Sequence, residues 1–470
     1  MSRKNRRKHI SLENIEIINT ASKGKSIARH EGRVIFVNGA IPGDICNITV
    51  YKKRKKYWEA RIDKIIKESN YRIKPKCSHF GTCGGCKWQN MQYDAQLNFK
   101  QNEVLNNLSK IGGITINKYN KIIGSKNIYN YRNKMEFTFS NKRWLTKEEI
   151  VNNENIIDKN ALGFHVPGMF DKVIDLDTCY LQEDPSNKIR NRIKEFALEN
   201  KLSFFDIKNQ KGLLRNLMIR ISKNGEIMVL VQFFNDDSKK INLLMNFIKE
   251  SFPEITSLLY TINTKANNTI YDQKIICFSG ISFITEKIEN LTFKIGPKSF
   301  FQTNSEQAEL LYSSLRKLAN IKKNDIVYDL YTGTGTIAQF ISNQAKKVIG
   351  IDSVPEAIDA ANASAKNNNI TNCIFYSGDM KNIFSDEFIS KNGKPDIIIT
   401  DPPRDGMHKK VVEQLLKILA KRIIYVSCNP ATQARDLALL KEKYIIKDIQ
   451  SVDMFPHTHH VENILTLNLR

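Results

Sequence analysis

The chain has 470 residues, enough for two to three domains of ordinary size. No apolar run is long enough to span a bilayer, and no apolar segment of signal-peptide type follows the basic start MSRKNRRKH, so neither a membrane span nor a secretory leader is expected and a cytoplasmic protein is. Lysine and arginine outnumber aspartate and glutamate by 72 to 49, and the resulting charge of +23 favours a polyanionic partner, nucleic acid first; a lysine-rich residue bias from an AT-rich genome gives the same excess with no partner at all.

The predicted elements begin with short alternating segments over residues 11 to about 68. RVIFV (33–37) runs into the turn Asn38-Gly39, then Pro42-Gly43, then DICNITVY (44–51). Short strands with Gly and Pro punctuation predict a small β-barrel. The loop KKRKK (52–56) sits beside Tyr57 and Trp58. Cations that meet phosphates and rings that stack bases suit RNA, while a solvated hairpin tip is the plain alternative. A cysteine-rich stretch opens the middle region. A helix is expected over Tyr93–Lys110, stopped by Gly112-Gly113, and strands at KMEFTFS (134–140) and ALGFH (161–165). LMIRIS and IMVLVQFF flank Lys223-Asn224-Gly225 as a hairpin, and KKINLLMNFIKESF (239–252) has helical periodicity. This region is expected to be α+β.

From about residue 290, strand and helix patterns alternate: DIVYDLY, TGTGTIAQFI, KKVIGID, PEAIDAANASAKNNN, CIFYSGD, DIIITDPP, VVEQLLKILA and RIIYVSCNP. The fold class is therefore α/β. A C-terminal doubly wound, Rossmann-like domain (291–470) follows a small β-barrel (1–68) and a central α+β domain (69–290). Such sheets bind ligands beyond the carboxyl ends of their strands. Asp329, Asp352, Asp379, Asp401 and Cys428 are all expected at or just past those ends.

Gly333-Thr334-Gly335-Thr336-Ile337-Ala338 fits a G-x-G-x-x-A loop, with Asp352 at the next strand end to hold a ribose. Alone it allows a nicotinamide cofactor or S-adenosylmethionine. Asp401-Pro402-Pro403-Arg404 resembles the D-P-P loop of S-adenosylmethionine-dependent methyltransferases acting on nucleic acids. Cys428 stands at the following strand exit, where Asn429-Pro430 turns the chain. A thiolate there suits pyrimidine C5 chemistry: addition at C6 makes C5 nucleophilic, and a base must later take the C5 proton. HTHHVEN (457–463) offers Glu462 for that task.

FFQTN (300–304), DLYTGTGTIA, DPPRDGMH, SCNPATQARDL and DMFPHTHHVEN occur in the order found in RNA uracil-5 methyltransferases, and the resemblance covers nearly the whole chain. It implies Cys428 as nucleophile and Glu462 as base, with Gln302, Tyr331, Gly333, Gly335, Asp352 and Asp401 around S-adenosylmethionine. Glu often stands in the family where this chain has Asp352. Phe300 is a candidate to stack on the target base, with a core role as the alternative. Residues 11–68 resemble a TRAM domain, an RNA-binding barrel. By spacing, Cys77, Cys83 and Cys86 with the distant Cys179 could hold zinc or a 4Fe–4S cluster. The asymmetric spacing and the resemblance of CSHFGTCGGCKWQ (77–89) and DLDTCYL (175–181) to the family's iron–sulfur segment favour the cluster. Cys46, Cys277 and Cys373 are expected in the core, and His79 as a bystander.

The closest resemblance is to the bacterial branch that methylates large-subunit ribosomal RNA, which implies structured RNA, 23S rRNA, as partner. A transfer-RNA enzyme of the same chemistry and a non-catalytic RNA-binding factor are the rivals. A dehydrogenase leaves Cys428 and Glu462 unexplained.

Overall fold

Alternation of apolar and polar residues along Ile45–Lys53 turns Cys46, Ile48 and Val50 inward. The same pattern repeats along its neighbours, and in this computed structural model, which describes residues 10–151 and 159–470, the strands close into a barrel. Its order is Ile10–Thr20, Ser26–His30, Arg33–Asn38, Tyr57–Lys67 and Ile45–Lys53. The basic start MSRKNRRKH lies outside the described residues. The barrel has its own core, with Ile35, Val37, Ile48 and Ala60 fully buried.

The central sheet has seven strands, in the order Ile275–Gly280, Ile255–Ile262, Ile227–Phe233, Leu214–Ile221, Lys134–Ser140, Ala161–His165 and Val173–Asp175. Its two faces do different work. One packs against helices Ser186–Glu199 and Ser238–Ser251, around Phe137, Leu217, Ile241 and Leu244. The other turns Met218, Met228, Leu230 and Leu259 into the same core as the C-terminal domain.

The C-terminal sheet has eight strands. Cys373–Ser377, Lys347–Asp352, Ile326–Leu330, Ile397–Thr400 and Arg422–Ser427 are parallel neighbours in that order. Antiparallel Glu462–Leu469 and Tyr444–Val452 follow, and Asn120–Ile123 closes the edge. Strand order reverses at Ile326–Leu330, which lies between Lys347–Asp352 and Ile397–Thr400. That is the topological switch point, where such sheets open a crevice. Helix Tyr93–Lys110 contributes Val104 and Leu108, and the edge strand contributes Ile122, to the core under this sheet. Residues from the middle of the chain thus complete the C-terminal sheet, which a division by chain position does not represent. Among the described residues no helix is long and apolar enough to cross a membrane.

Two placements differ from expectation. Cys277 is exposed, because its strand Ile275–Gly280 is the edge of the central sheet. Cys373 is half-buried at the opposite edge of the C-terminal sheet, while Cys46 is core as expected.

Candidate active site

The glycine loop forms where strand Ile326–Leu330 must turn at once into helix Thr336–Ile341. Tyr331, Gly333 and Gly335 all take positive φ (63°, 56° and 71°), a left-handed path that costs a glycine little. A Cβ on Gly335 would lie 2.7 Å from the Phe375 ring, whereas one on Gly333 would meet nothing within 4 Å. Gly335 is thus required by packing, and Gly333 faces open space where a ligand can approach. Asp329 holds the loop from inside: its Oδ2 accepts from Thr332 Oγ1 at 2.6 Å and from the Ala338 N–H at 3.1 Å. Asp329 lies within its strand rather than past its end, and its other oxygen is buried without a partner. Burial, then the nearby Asp401 and Asp352, pushes its carboxyl up to about 7.

Asp352 ends its strand and accepts from Gly333 N–H and Val354 N–H, both at 2.9 Å. This ties the glycine loop to the residue expected at the ribose. Gln302 is fixed by its backbone: Asn133 Nδ2 donates to its carbonyl at 2.9 Å. Asn304, two residues on, caps helix Ser305–Ala319 and donates to Met454 O. Phe300 is 72% exposed beside the buried Phe301, which removes the core alternative for it.

The sequence SCNP is explained by its neighbours. Cys428 follows strand Arg422–Ser427, and Pro430 opens helix Pro430–Leu440 with Asn429 as its cap. Pro at the first helical position loses no hydrogen bond there. Asn429 Nδ2 and Thr432 Oγ1 both donate to Arg404 O, at 2.9 and 3.1 Å. The cysteine loop is thereby clamped to the loop that carries Asp401. Burial pushes the Cys428 thiol up to about 11; Glu462 and Asp401 add to this, and Arg404 opposes it. Asp401 is raised to about 7 by burial. Glu462, buried at the start of Glu462–Leu469, is held well above the carboxylate range by burial and Asp401, with Arg404 opposing. One thiol, two carboxyls and one guanidinium therefore share one electrostatic environment beside the glycine loop. Arg404 stands in the D-P-P-R run, yet the run itself assigns it no role. A surface arginine carries no signal until the fold sets it against a thiol.

Cys77, Cys83, Cys86 and Cys179 line one cavity of about 320 Å³ between the central sheet and residues 77–89. Gln89 Nε2 donates to Cys86 Sγ at 3.2 Å, and the Gly85 N–H lies 3.5 Å from Cys83 Sγ. His79 is no bystander, since its Nε2 accepts from the Asp177 N–H at 3.3 Å and so joins the two cysteine segments. Burial pushes Cys83 up to about 11 and Cys86 to about 12. Free thiolates are disfavoured there unless a positive group deprotonates them. Among the described residues, no three or more His, Cys, Asp or Glu side chains gather closely enough for one metal ion. A tetrahedral zinc needs its sulfurs within roughly 4 Å of each other.

The family model described as tRNA (Uracil-5-)-methyltransferase matches residues 272–470. An RNA methyltransferase of Bacteroides thetaiotaomicron is 52% identical over 453 residues, covering 96% of this chain and 100% of the relative. One from Porphyromonas gingivalis is 48% identical over 460 residues, covering 96% and 99%. Among solved structures, the Pyrococcus abyssi tRNA (uracil-54, C5)-methyltransferase in complex with S-adenosyl-L-homocysteine superposes with a TM-score of 0.74 at 29% identity, over 96% of this chain and 100% of that one.

Proposed function

Since the chain belongs to the RNA (uracil-5-)-methyltransferase family and is an S-adenosylmethionine-dependent enzyme, we propose that it methylates uridine C5 through a covalent bond between Cys428 and C6. The observation that carries this reading is the shared electrostatic environment of Cys428, Glu462, Asp401 and Arg404, where the paired strands Arg422–Ser427 and Glu462–Leu469 meet the loop after Ile397–Thr400.

A target uridine leaves its stack to reach the cleft. Exposed Phe300 is the candidate to stack against it. Arg404 favours the Cys428 thiolate, which adds to C6 and sends the C5–C6 π electrons onto O4. Bound S-adenosylmethionine supplies the methyl group that C5 then takes. Gln302, Tyr331, Gly333, Gly335, Asp352 and Asp401 form its cradle in this reading. The Arg404 guanidinium opposes the rise of the Glu462 carboxyl and so favours its anion, the form that acts as a base. Glu462 removes the C5 proton, the C5–C6 double bond re-forms, and the thiolate is expelled.

The half-buried thiols around one cavity and the sulfur-directed donors support a 4Fe–4S cluster on Cys77, Cys83, Cys86 and Cys179. No step of the methyl transfer runs through it. Large-subunit ribosomal RNA is the substrate that the resemblance implies. A second reading, transfer RNA, is favoured by the Pyrococcus relative, whose match extends over 96% of this chain and so includes the accessory regions.

Mapping 5-methyluridine in ribosomal and transfer RNA, with and without the gene, tests the substrate: loss of a 23S site supports the first reading, loss of a transfer-RNA site the second. Cys428→Ala should abolish both methylation and any protein–RNA adduct. Glu462→Gln should accumulate an adduct that survives denaturing electrophoresis and depends on S-adenosylmethionine. A Cys428→Ala enzyme that still methylates would end the covalent reading.

A further inference from the structure

The loop that carries the chain from strand Tyr444–Val452 to Glu462 is held at five successive carbonyls. Asp453 O accepts from Gln307 Nε2 at 2.7 Å and Met454 O from Asn304 Nδ2 at 2.9 Å. Phe455 O accepts from Lys100 Nζ at 3.1 Å and Pro456 O from the Tyr131 hydroxyl at 3.0 Å. His457 O accepts two backbone N–H groups, from Lys87 at 2.8 Å and Trp88 at 3.0 Å. These donors come from the C-terminal domain, from helix Tyr93–Lys110, from the central region and from the end of the cysteine-rich segment.

Side chains reinforce the same loop. Lys100 Nζ and Asp453 Oδ1 are 2.6 Å apart, and neither side chain is exposed at all. Asp453 also accepts from Tyr93 OH at 2.9 Å and from the Phe455 N–H at 3.0 Å. Gln96, fully buried, accepts from the His457 N–H at 2.9 Å while its Nε2 faces His457 Nδ1, Trp88 O and Met91 O. A nine-residue connection needs no such apparatus merely to join two antiparallel strands. Burying a lysine and an aspartate carries a desolvation cost that apolar packing avoids, so this pair is an inefficient way to gain stability alone. Its effect is to leave the loop one conformation, with Glu462 at its end.

We propose that Lys100 and Tyr131 are positioning residues for the base. With Gln96 and the N–H groups of Lys87 and Trp88, they fix the Asp453–His457 loop so that Glu462 reaches the C5 proton. The cysteine-rich segment, whose last cysteine is Cys86, then serves proton removal by holding His457 from outside the catalytic domain. This inference rests on the covalent reading above, with Glu462 as base.

The test separates addition from release. Lys100→Met, and the milder Tyr131→Phe, are incubated with labelled S-adenosylmethionine and total RNA from a strain lacking the gene. Labelled adduct and released methylated RNA are followed in one turnover. Adduct formation should stay within about twofold of wild type, while release slows roughly tenfold to a hundredfold in Lys100→Met and severalfold in Tyr131→Phe, the loss that about an ångström of misplacement brings. Variants that lose addition and release in proportion, or that release at the wild-type rate, overturn the proposal. If Lys100→Met does not fold, Tyr131→Phe decides, since it removes one hydrogen bond and no charge. Glu462→Gln is the control. If it accumulates adduct and the positioning variants do not, only this inference fails. If it does not accumulate adduct, the covalent reading with Glu462 as base fails, and this inference with it.

Discussion

Cys428 illustrates how one residue type takes its chemistry from its neighbours. Burial and two carboxyls raise its thiol to about 11, and Arg404 pulls the other way. Substituting the neighbours should therefore move its reactivity in opposite directions. Arg404→Ala should slow alkylation of Cys428 by iodoacetamide at pH 8, and Asp401→Asn should speed it, each by about threefold to tenfold, since the thiolate fraction changes about tenfold per pKa unit. Equal rates in both variants would show that neither group acts on the thiol. Asp329 gives a prediction in stability. Its folded carboxyl is raised from the ordinary 3.8 to about 7. Its contribution is therefore fully present below about pH 4 and lost as pH rises to about 7, because the buried anion is disfavoured. Asp329→Asn escapes that loss. The variant should gain on wild type by up to a few kcal/mol between pH 4 and 7, about 1.4 per pKa unit, and the difference should then stay constant above pH 7. Thermal melts across that range check the sign.

Two elements with clear sequence signals take further detail from their surroundings. KKRKK reads as five equivalent cations, but Lys52 pairs with Glu59 at 2.6 Å and Lys53 lies over the Trp58 ring at 5.3 Å. Arg54, Lys55 and Lys56 remain as exposed cations at the hairpin tip. Neutralising those three should flatten the salt dependence of RNA binding by about two to three units in log–log slope, close to 0.7–0.9 for each phosphate no longer neutralised. Neutralising Lys52 as well should add little. An unchanged slope would make the tip a solvated turn. The cysteine-rich segment makes the second case. Protein purified without oxygen should be brown and carry about four irons per chain, as a four-thiolate cluster requires. Iron analysis and absorption spectra check this, and a colourless protein with one zinc would refute it.

At the scale of the molecule, cores rather than chain order define what unfolds together. Met218, Met228, Leu230 and Leu259 of the central sheet share one core with Val327, Ile399 and Ile424 of the C-terminal sheet. The barrel has a separate core, linked to the rest through the small cluster of Ile41, Trp88, Met91 and Ala95. The central and C-terminal parts should therefore melt in one transition, with the barrel free to melt in another. S-adenosylhomocysteine at a hundred times its dissociation constant should stabilise the shared transition by about 2.7 kcal/mol and leave the barrel's unmoved. Calorimetry with and without the ligand distinguishes the two.

Local chemistry is readable wherever the residues that create it are neighbours in the chain. The period-two strands of the barrel, the helix Tyr93–Lys110, the parallel strand–helix alternation and the turn at Asn429-Pro430 follow from patterning and backbone restriction within a few residues. Motif order places Cys428, Glu462 and the glycine loop in one family's arrangement. The sequence cannot place residues whose partners lie hundreds of positions away. Lys100 and Asp453 are 353 residues apart, and nothing near either one shows that the other will bury it. Nor does a four-residue stretch such as Asn120–Ile123 reveal that it completes the sheet of a distant domain. Those pairings form because the fold brings unrelated segments to one edge, and only there can a buried charge find its partner or a carboxyl be raised by its neighbour. The tertiary structure alone decided which cations are free and what holds the loop before Glu462.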